Sequence, residues 1–301
     1  MRLVSLHAAI AAVCLLSTVG SARAAVTPEE NVVVFARTFS DQLINRRIVY
    51  LRPRVLPATP APALLLLPYR NGDADDMADL VHAARLVRKY NTWVIIPEAI
   101  NGYWNYKALL GPLTTPDDVR FLDHLIDDAI ATFGVDPHRI YMGGYSGGAM
   151  MTLRYACEVP GRIAGTALVG AQMITTLAAK CDTSAPPAMM FIDGDEDPLA
   201  SYDGNATLMS LPASAAFWAQ ANGCNMTPRR EALADVVDDG THTLLDRYGG
   251  CRNGEAVRLY SVIGGGHTWP GTVDFSPSLG RTSQDFDASD AFMQFLLQFS
   301  R

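Results

Sequence analysis

The feature that most constrains the fold is the alternation of short apolar runs with longer segments of helical periodicity. Ala63–Leu67 and Thr92–Ile96 are apolar without alternation, as is typical of strands buried on both faces. Farther along, Asp117–Phe133 carries apolar residues at helical spacing. Strands that alternate with helices of about ten or more residues indicate a parallel sheet covered on both faces. We therefore predict an α/β fold with a mostly parallel central sheet and helices on both faces.

The same alternation predicts the other elements. The predicted strands are 47–51, 139–142, 166–169, 188–192 and 256–262, and the predicted helices are 76–89, 147–157, 212–222 and 288–299. The segment from Arg229 to Cys251 fits this alternation least, and we interpret it as a hairpin. Because the sequence shows no internal repeat and no second domain, we predict one domain over residues 25–301.

The N-terminus has the layout of a signal peptide. A basic start at Met1-Arg2 precedes the apolar run Ala8–Val19 and the small-x-small site Ala22-Arg23-Ala24. The alternative is a membrane anchor, but the run is too short to cross a hydrocarbon core of about 30 Å. We predict that residues 1–24 are cleaved and that the mature protein is secreted or periplasmic, without stable membrane association.

Export changes how the cysteines are interpreted. The chain has five, and four remain when Cys14 is removed with the signal peptide. An even number in an oxidising compartment predicts two disulfides. Sequence proximity favours Cys157–Cys181 and Cys224–Cys251, although spacing leaves the other pairings open. The net charge of −7 and the lack of a basic stripe argue against a nucleic-acid binder.

One motif is typical of a catalytic serine. Gly144-Tyr145-Ser146-Gly147-Gly148 matches Gly-x-Ser-x-Gly, and it lies between a predicted strand and a predicted helix. Glycines on both sides leave room for the tight turn that exposes a nucleophilic serine. The alternative is an ordinary glycine-rich turn or a phosphate-binding loop, but the Lys-Ser/Thr pair and the Gly-x-Gly-x-x-Gly fingerprint are absent. We predict that Ser146 is a nucleophile.

A base and an acid are expected later in the chain, after other strands. His267 follows the last predicted strand, in a loop rich in glycine, and we predict that it is the base. The other histidines of the mature chain lie in predicted helices, before the nucleophile strand or in the hairpin: His82, His124, His138 and His242. Four acids compete after the strand 188–192, namely Asp193, Asp195, Glu196 and Asp197. Position favours Asp197 over Asp195 without deciding between them.

With these residues in place, the chain resembles the secreted polyhydroxybutyrate depolymerase and feruloyl esterase family of α/β-hydrolases. The resemblance runs from about Arg47 to Phe299, and its most specific element is the histidine loop Gly264–Gly271. It implies that residues 25–301 are an α/β-hydrolase catalytic domain. The family's Gly-x-x-Asp-Pro acid loop aligns with Gly194–Pro198 and selects Asp197 as the acid.

The resemblance also implies an oxyanion hole and a substrate site. Where relatives have His-Gly after the first central strand, this chain has Pro68-Tyr69-Arg70. Because proline has no N–H to donate, the donors are expected to be Gly147 and either Tyr69 or Arg70. We place Tyr145, Trp104 and Trp269 at the substrate-binding site, although an aromatic at position 104 could equally serve packing.

These expectations describe a serine carboxylic-ester hydrolase with no metal or cofactor. Its substrate would be a small-molecule or oligomeric ester of the 3-hydroxybutyrate, feruloyl or acetyl type. Two alternatives stay open: a serine peptidase on the same fold, which would normally need an extra domain controlling peptide access, and an exported binding protein without catalysis. A reactive-serine probe separates the binding protein from both enzymes, and peptide substrates separate the enzymes from each other.

Overall fold

The structure, a computed structural model, describes residues 31–41, 43–106, 116–252, 257–273 and 276–301. The predicted signal peptide, residues 1–24, lies outside the described residues. Ten strands are present in the described ranges: β1 (Val32–Asp41), β2 (Ile44–Pro53), β3 (Ala61–Leu67), β4 (Trp93–Pro97), β5 (Val135–Tyr145), β6 (Gly165–Val169), β7 (Ala188–Gly194), β8 (Arg229–Ala232), β9 (His242–Tyr248) and β10 (Val257–Ile263). They form one sheet in the order β1-β2-β4-β3-β5-β6-β7-β10-β9-β8.

The centre of the sheet is parallel. The neighbours from β4 through β3, β5, β6 and β7 to β10 all pair in parallel. An antiparallel pair, β1 and β2, extends one side, and the antiparallel hairpin β8–β9 extends the other. The inner strands are apolar runs such as Ala61–Leu67, every residue of which is buried. Strands of this kind need cover on both faces.

Helices supply that cover. They are α1 (Ala74–Leu80), α2 (Ala83–Tyr90), α3 (Asp118–Phe133), α4 (Gly147–Glu158), α5 (Thr175–Ala178), α6 (Leu211–Ala221) and α7 (Ala288–Leu296). Apolar residues of α1, α2 and α7 form one core with one face of the sheet. Residues of α3, α4, α5 and α6 form a second core on the other face. The predicted fold class, a mostly parallel sheet with helices on both faces, is confirmed.

Some elements differ from the sequence prediction, among them the four-residue helix α5, which was not predicted. The helix predicted over 76–89 is two helices, because His82 has the left-handed conformation (φ 52°) and interrupts the helix between α1 and α2. Strand β1 was not predicted at all. Most residues in its second half are exposed, so it lacks the apolar run by which the inner strands were identified.

Both disulfides join residues that are close in sequence. Cys157 pairs with Cys181 and Cys224 pairs with Cys251, which confirms the pairing that proximity favoured. The first links the end of α4 to the segment after α5, and the second links the segment after α6 to the segment after β9. Among the described helices, none has the length and apolar character needed to span a bilayer.

The parallel centre determines where functional residues can meet. The carboxyl ends of parallel strands lie along the same edge of a sheet, where α/β proteins bind their ligands. Ser146 directly follows β5, Asp197 follows β7 and His267 follows β10. Strands β7 and β10 are neighbours, and β6 alone separates β5 from β7. The topology therefore brings the three predicted residues to one edge.

Candidate active site

Ser146 occupies the sharp turn between β5 and α4. Its backbone has φ 53° and ψ −117°, and its N–H donates a hydrogen bond to the carbonyl of Val169 at 2.9 Å. The flanking glycines make this turn possible. A Cβ on Gly144 would lie 2.5 Å from the carbonyl carbon of Gly148, and a Cβ on Gly148 would lie 2.1 Å from the carbonyl oxygen of Leu67. Only glycine fits at either position without movement of the backbone.

His267 lies in the loop after β10 and is 4% exposed. Its Nδ1 is 2.5 Å from Oδ2 of Asp197. Tyr145 stacks on the imidazole with ring centroids 5.3 Å apart and donates its hydroxyl to the His267 carbonyl at 2.6 Å. Burial, followed by the charge of Asp197, raises the pKa of Tyr145, so the hydroxyl remains a donor. The other ring nitrogen, Nε2, is buried and meets no hydrogen-bond partner in the described part of the chain.

Asp197 is the acid, among the four candidates, that bonds to the histidine. Its Oδ1 accepts the N–H groups of Leu199 at 2.6 Å and Ala200 at 2.7 Å, which leaves Oδ2 directed at His267. Burial opposes ionisation, but the hydrogen bond and charge of His267 outweigh it and lower the pKa of Asp197. The site therefore contains a carboxylate held against an imidazole.

The other three acids have different positions. Asp195 accepts the N–H of Gly264 at 2.6 Å, and Glu196 pairs with Arg281 at 3.0 Å. Asp193 is the penultimate residue of β7 and is buried near Asp197. Among the described residues, Asp193, Asp197 and His267 form the group whose potential metal-ligand atoms all lie within 4.8 Å of one another. Nδ1 of His267 is already hydrogen-bonded to Asp197, so the geometry fits a hydrogen-bonded pair of acid and base.

The predicted oxyanion residues lie next to the nucleophile. A Cβ on Gly147 would be 3.6 Å from the backbone nitrogen of Arg70, so these two main chains are adjacent. The Arg70 side chain turns away, over the ring of Tyr103 at 4.7 Å. The Tyr69 ring instead packs on Tyr145, with centroids 5.4 Å apart. Between the two predicted alternatives, the position of its nitrogen favours Arg70 as the backbone donor beside Gly147.

Two cavities open at Ser146 and His267. One, of about 350 Å³, is lined by both residues together with Tyr106, Gly147, Met150, Gly170, Ile174, Leu199, Ala200, Thr207 and Leu208. The other, of about 270 Å³, is lined by both residues together with Tyr69, Arg70, Tyr145, Leu199 and Leu279. Leu199 borders both cavities and is 65% exposed. The serine and the histidine thus share the same open space.

The two tryptophans predicted at the substrate site lie elsewhere. Trp269 is 1% exposed, donates its Nε1–H to Ser289 at 3.0 Å and packs on Phe292. Trp104 is 5% exposed and donates its Nε1–H to the carbonyl of Pro68 at 2.9 Å. Neither borders the two cavities, because burial and packing take up both rings. The prediction is corrected: Trp269 holds the histidine loop against α7, and Trp104 holds the segment before Tyr69.

Several cavity residues were not predicted from the sequence. Met150 lies one helical turn after Ser146, on the same side of α4, and this spacing could have identified it. Leu199 is two residues beyond Asp197, so the acid loop itself pointed to it. Tyr106, Ile174 and Leu208 come from three separate segments that only the tertiary structure brings together.

Comparison with known proteins identifies esterases. The chain is 32% identical over 200 residues to "Putative esterase NocK" of Nocardia uniformis subsp. tsuyamanensis, and 27% identical over 176 residues to feruloyl esterase B of Piromyces equi. These matches cover 60% and 54% of this chain, but only 58% and 31% of the two relatives. The chain therefore spans less than two thirds of the curated relatives it matches. No protein-family model matches it.

Solved structures agree on the fold. An acetyl xylan esterase from Aspergillus awamori matches with a TM-score of 0.58 at 20% identity, over 78% of this chain and 94% of that one. A thermostable esterase matches with a TM-score of 0.57 at 13% identity, over 89% and 63%. At these identities the likeness establishes the fold alone. The chain thus shares the fold of these solved esterases, and the curated sequences it is similar to are those of esterases.

Proposed function

We propose that the protein is a serine carboxylic-ester hydrolase. The observation that carries the proposal is that Ser146, on a strained strand-to-helix turn, borders the same cavities as His267, whose Nδ1 is 2.5 Å from a buried carboxylate of Asp197. A nucleophile, a base and a group that orients the base are the parts that acyl transfer through serine requires.

In the first step, Nε2 of His267 accepts the proton of the Ser146 hydroxyl as the oxygen attacks the ester carbonyl. Nε2 has no other hydrogen-bond partner among the described residues, which supports this role. The imidazolium that forms is stabilised by Asp197, which also fixes the tautomer with the proton on Nδ1. His267 then passes its proton to the alcohol that leaves.

The developing oxyanion needs donors beside Ser146. We assign them to the backbone N–H groups of Gly147, at the N-terminus of α4, and of Arg70. Removal of one such donor typically lowers kcat by about 10²–10³-fold. Water, activated by His267 in the same way, then hydrolyses the acyl-enzyme and releases the carboxylic acid.

The cavities support a substrate with two modest groups. Compartments of about 350 and 270 Å³ flank Ser146, so one can take the acyl group and the other the alcohol. The linings are mainly apolar or aromatic, and Arg70 borders the smaller cavity. Esters of the acetyl, feruloyl or short 3-hydroxybutyrate type fit this description. The names of the relatives, a feruloyl esterase and an acetyl xylan esterase, point to the same class.

Export belongs to the same proposal. The two disulfides fit an oxidising compartment, and the sequence of residues 1–24 fits a cleaved signal peptide. We infer a secreted or periplasmic enzyme that acts on small-molecule or oligomeric esters.

The test compares residues 25–301 with their Ser146→Ala and Ser184→Ala variants. Ser184 is exposed and precedes β7, at the end of the strand opposite to Asp197, so it is a matched control. The substrates are p-nitrophenyl acetate and butyrate, methyl ferulate, a soluble 3-hydroxybutyrate oligomer and a peptide amide. We expect ester turnover by the wild type and Ser184→Ala, and none by Ser146→Ala. Preference for the peptide would indicate a peptidase. Absence of turnover, together with absence of fluorophosphonate labelling of Ser146, would indicate a binding protein.

A further inference from the structure

A second carboxyl group lies near Asp197, the acid of the proposed triad of Ser146, His267 and Asp197. Asp193, the penultimate residue of β7, is 2% exposed. Its Oδ1 accepts the N–H of Gly194 at 2.9 Å. Its Oδ2 is buried and receives no hydrogen bond from a donor group among the described residues. A buried carboxylate oxygen without a donor is unfavourable, so the state of this group requires a physical explanation.

The neighbour that explains it is Asp197. One carboxyl oxygen of each residue lies within 4.8 Å of the other and of a ring nitrogen of His267. Asp197 has already committed Oδ1 to two backbone N–H groups and Oδ2 to His267. Two carboxylates this close in a buried site do not both ionise, because each disfavours the charge of the other.

Among the described residues, the remaining surroundings of Asp193 include no lysine or arginine paired with it. Its register partner in β10, Ser261, is bonded to the hydroxyl of Tyr202 at 2.6 Å. Tyr145 faces the carboxyl pair as a neutral phenol. Burial, followed by the charge of Asp197, raises the pKa of Asp193 well above its usual range, whereas that of Asp197 is lowered.

We propose that Asp193 is a positioning residue of the triad: a neutral carboxylic acid whose Oδ2–H donates a hydrogen bond to the carboxylate of Asp197. The pair then carries one negative charge and one shared proton. The donated bond fixes the orientation of Asp197 and draws charge away from the oxygen that faces His267. The proposal concerns the same site as the proposed esterase function and rests on that function for its kinetic test alone.

The kinetic test uses Asp193→Asn, which keeps a neutral donor, and Asp193→Ala, which removes it. Glu196→Gln, in the same loop but exposed, is the matched control. We expect Asp193→Ala to lower kcat about 10–100-fold with KM little changed, as for other residues that orient a catalytic ligand. Asp193→Asn should restore kcat to near the wild-type value. Wild-type kcat in Asp193→Ala would overturn the positioning role.

The pH profile distinguishes a neutral Asp193 from an ionised one. If Asp193 is neutral, Asp193→Asn changes no charge, and the acid limb of kcat/KM against pH stays where it is in the wild type. If Asp193 is ionised, the substitution removes a buried negative charge beside His267. The acid limb would then move to lower pH by about one unit or more, which would overturn the proposal.

A third measurement needs no turnover. In the wild type and in Ser146→Ala at pH 7, infrared difference spectra against Asp193→Asn should show the carbonyl stretch of a protonated carboxylic acid, shifted in D2O. Absence of that band in a folded Asp193→Asn difference spectrum would overturn the proposal. Presence of the band in a protein without esterase activity would refute only the proposed function.

Discussion

At Ser146 the backbone is held where L-residues are rare, at φ 53°. Such a conformation costs about 1–3 kcal/mol, and it persists only where the surroundings dictate it. Here the carbonyl of Val169 accepts a hydrogen bond from the serine N–H, and the close packing of Gly144 against Gly148 restricts the conformation of the turn. The strain places the hydroxyl at the mouth of the cavities, next to an imidazole held in place by Tyr145 and Asp197.

Tyr145→Phe tests how far the phenol hydroxyl holds the histidine. The substitution keeps the stacked ring but leaves the buried carbonyl of His267 without its donor at 2.6 Å. We expect the free energy of unfolding to fall by about 1–3 kcal/mol, measured by urea denaturation, together with a lower kcat. Tyr103→Phe is the control, since that side chain is 48% exposed and its loss should change stability by less than about 0.5 kcal/mol. Equal effects of the two variants would contradict this role of Tyr145.

The carboxyl pair also predicts a pH dependence of stability. The pKa of Asp193 is raised in the folded protein, so the native state holds a proton that the unfolded chain releases above its ordinary pKa of 3.8. Stability from this group is therefore complete below that pH and is lost as pH rises toward the raised pKa. Asp193→Asn lacks the effect. In urea denaturation from pH 4 to 8, its stability relative to the wild type should increase with pH by at most about 1.4 kcal/mol per unit. A difference that does not change with pH would contradict the assignment.

Among the elements, α4 lies closest to the sheet at its first turn. A Cβ on Gly148 would lie 2.1 Å from the Leu67 carbonyl oxygen at the end of β3. Close approach at this point brings the main chain of Gly147 next to the backbone nitrogen of Arg70, which follows β3. The same contact therefore serves the packing of a helix on a strand and the proposed oxyanion hole.

Gly148→Ala should separate these two elements. The added methyl group would overlap the main chain of β3, so we expect a loss of at least about 1–3 kcal/mol in the free energy of unfolding. Gly147→Ala is the matched control, because its Cβ would meet its nearest atom at an ordinary 3.6 Å and should leave stability nearly unchanged. Thermal and urea unfolding of both variants would decide the matter. Tolerance of alanine at position 148 would show that α4 can shift without cost.

The sequence predicted the central strands and most helices because they bury continuous or periodic apolar residues. It could not predict β1, whose second half is mostly exposed, or the interruption at His82, which no glycine or proline announces. The segments carrying Ser146, His267 and Asp197 were identifiable because each follows a strong strand. Trp104 and Trp269 were misplaced because sequence position alone does not give the direction of a side chain.

Across the whole molecule, a buried ionic cluster ties several elements to the site. Arg46 of β2 is paired with Asp118 at the start of α3, with both side chains at most 2% exposed. Asp118 also accepts the N–H of Asn105 at 2.6 Å, and Arg154 of α4 donates to the carbonyl of Asn105. Burial raises the pKa of Asp118 despite these partners. The cluster fixes Asn105, which directly precedes the cavity residue Tyr106.

Asp118→Ala should therefore destabilise the molecule and disturb the site together. It would leave Arg46 buried without its partner and Asn105 without its acceptor. We expect about 3–5 kcal/mol of lost stability, measured by urea denaturation, with a lower kcat/KM in the folded fraction. Arg229→Ala, which removes a 72% exposed partner of Glu231, should cost less than about 1 kcal/mol. A loss as small as that of the control would show that water or other groups replace the Asp118 contacts.

The strands at the two edges of the sheet affect whether molecules of the protein aggregate. An open sheet presents backbone groups at its borders, where strands of other chains could add and build aggregates. Here one border is β8, only four residues long and bearing Arg229, Arg230 and Glu231. The other border strand, β1, carries Arg37 and Asp41 in its second half. The short length of β8 and the charges on both strands discourage strand addition, so concentrated preparations of the folded protein should resist fibril growth from these borders.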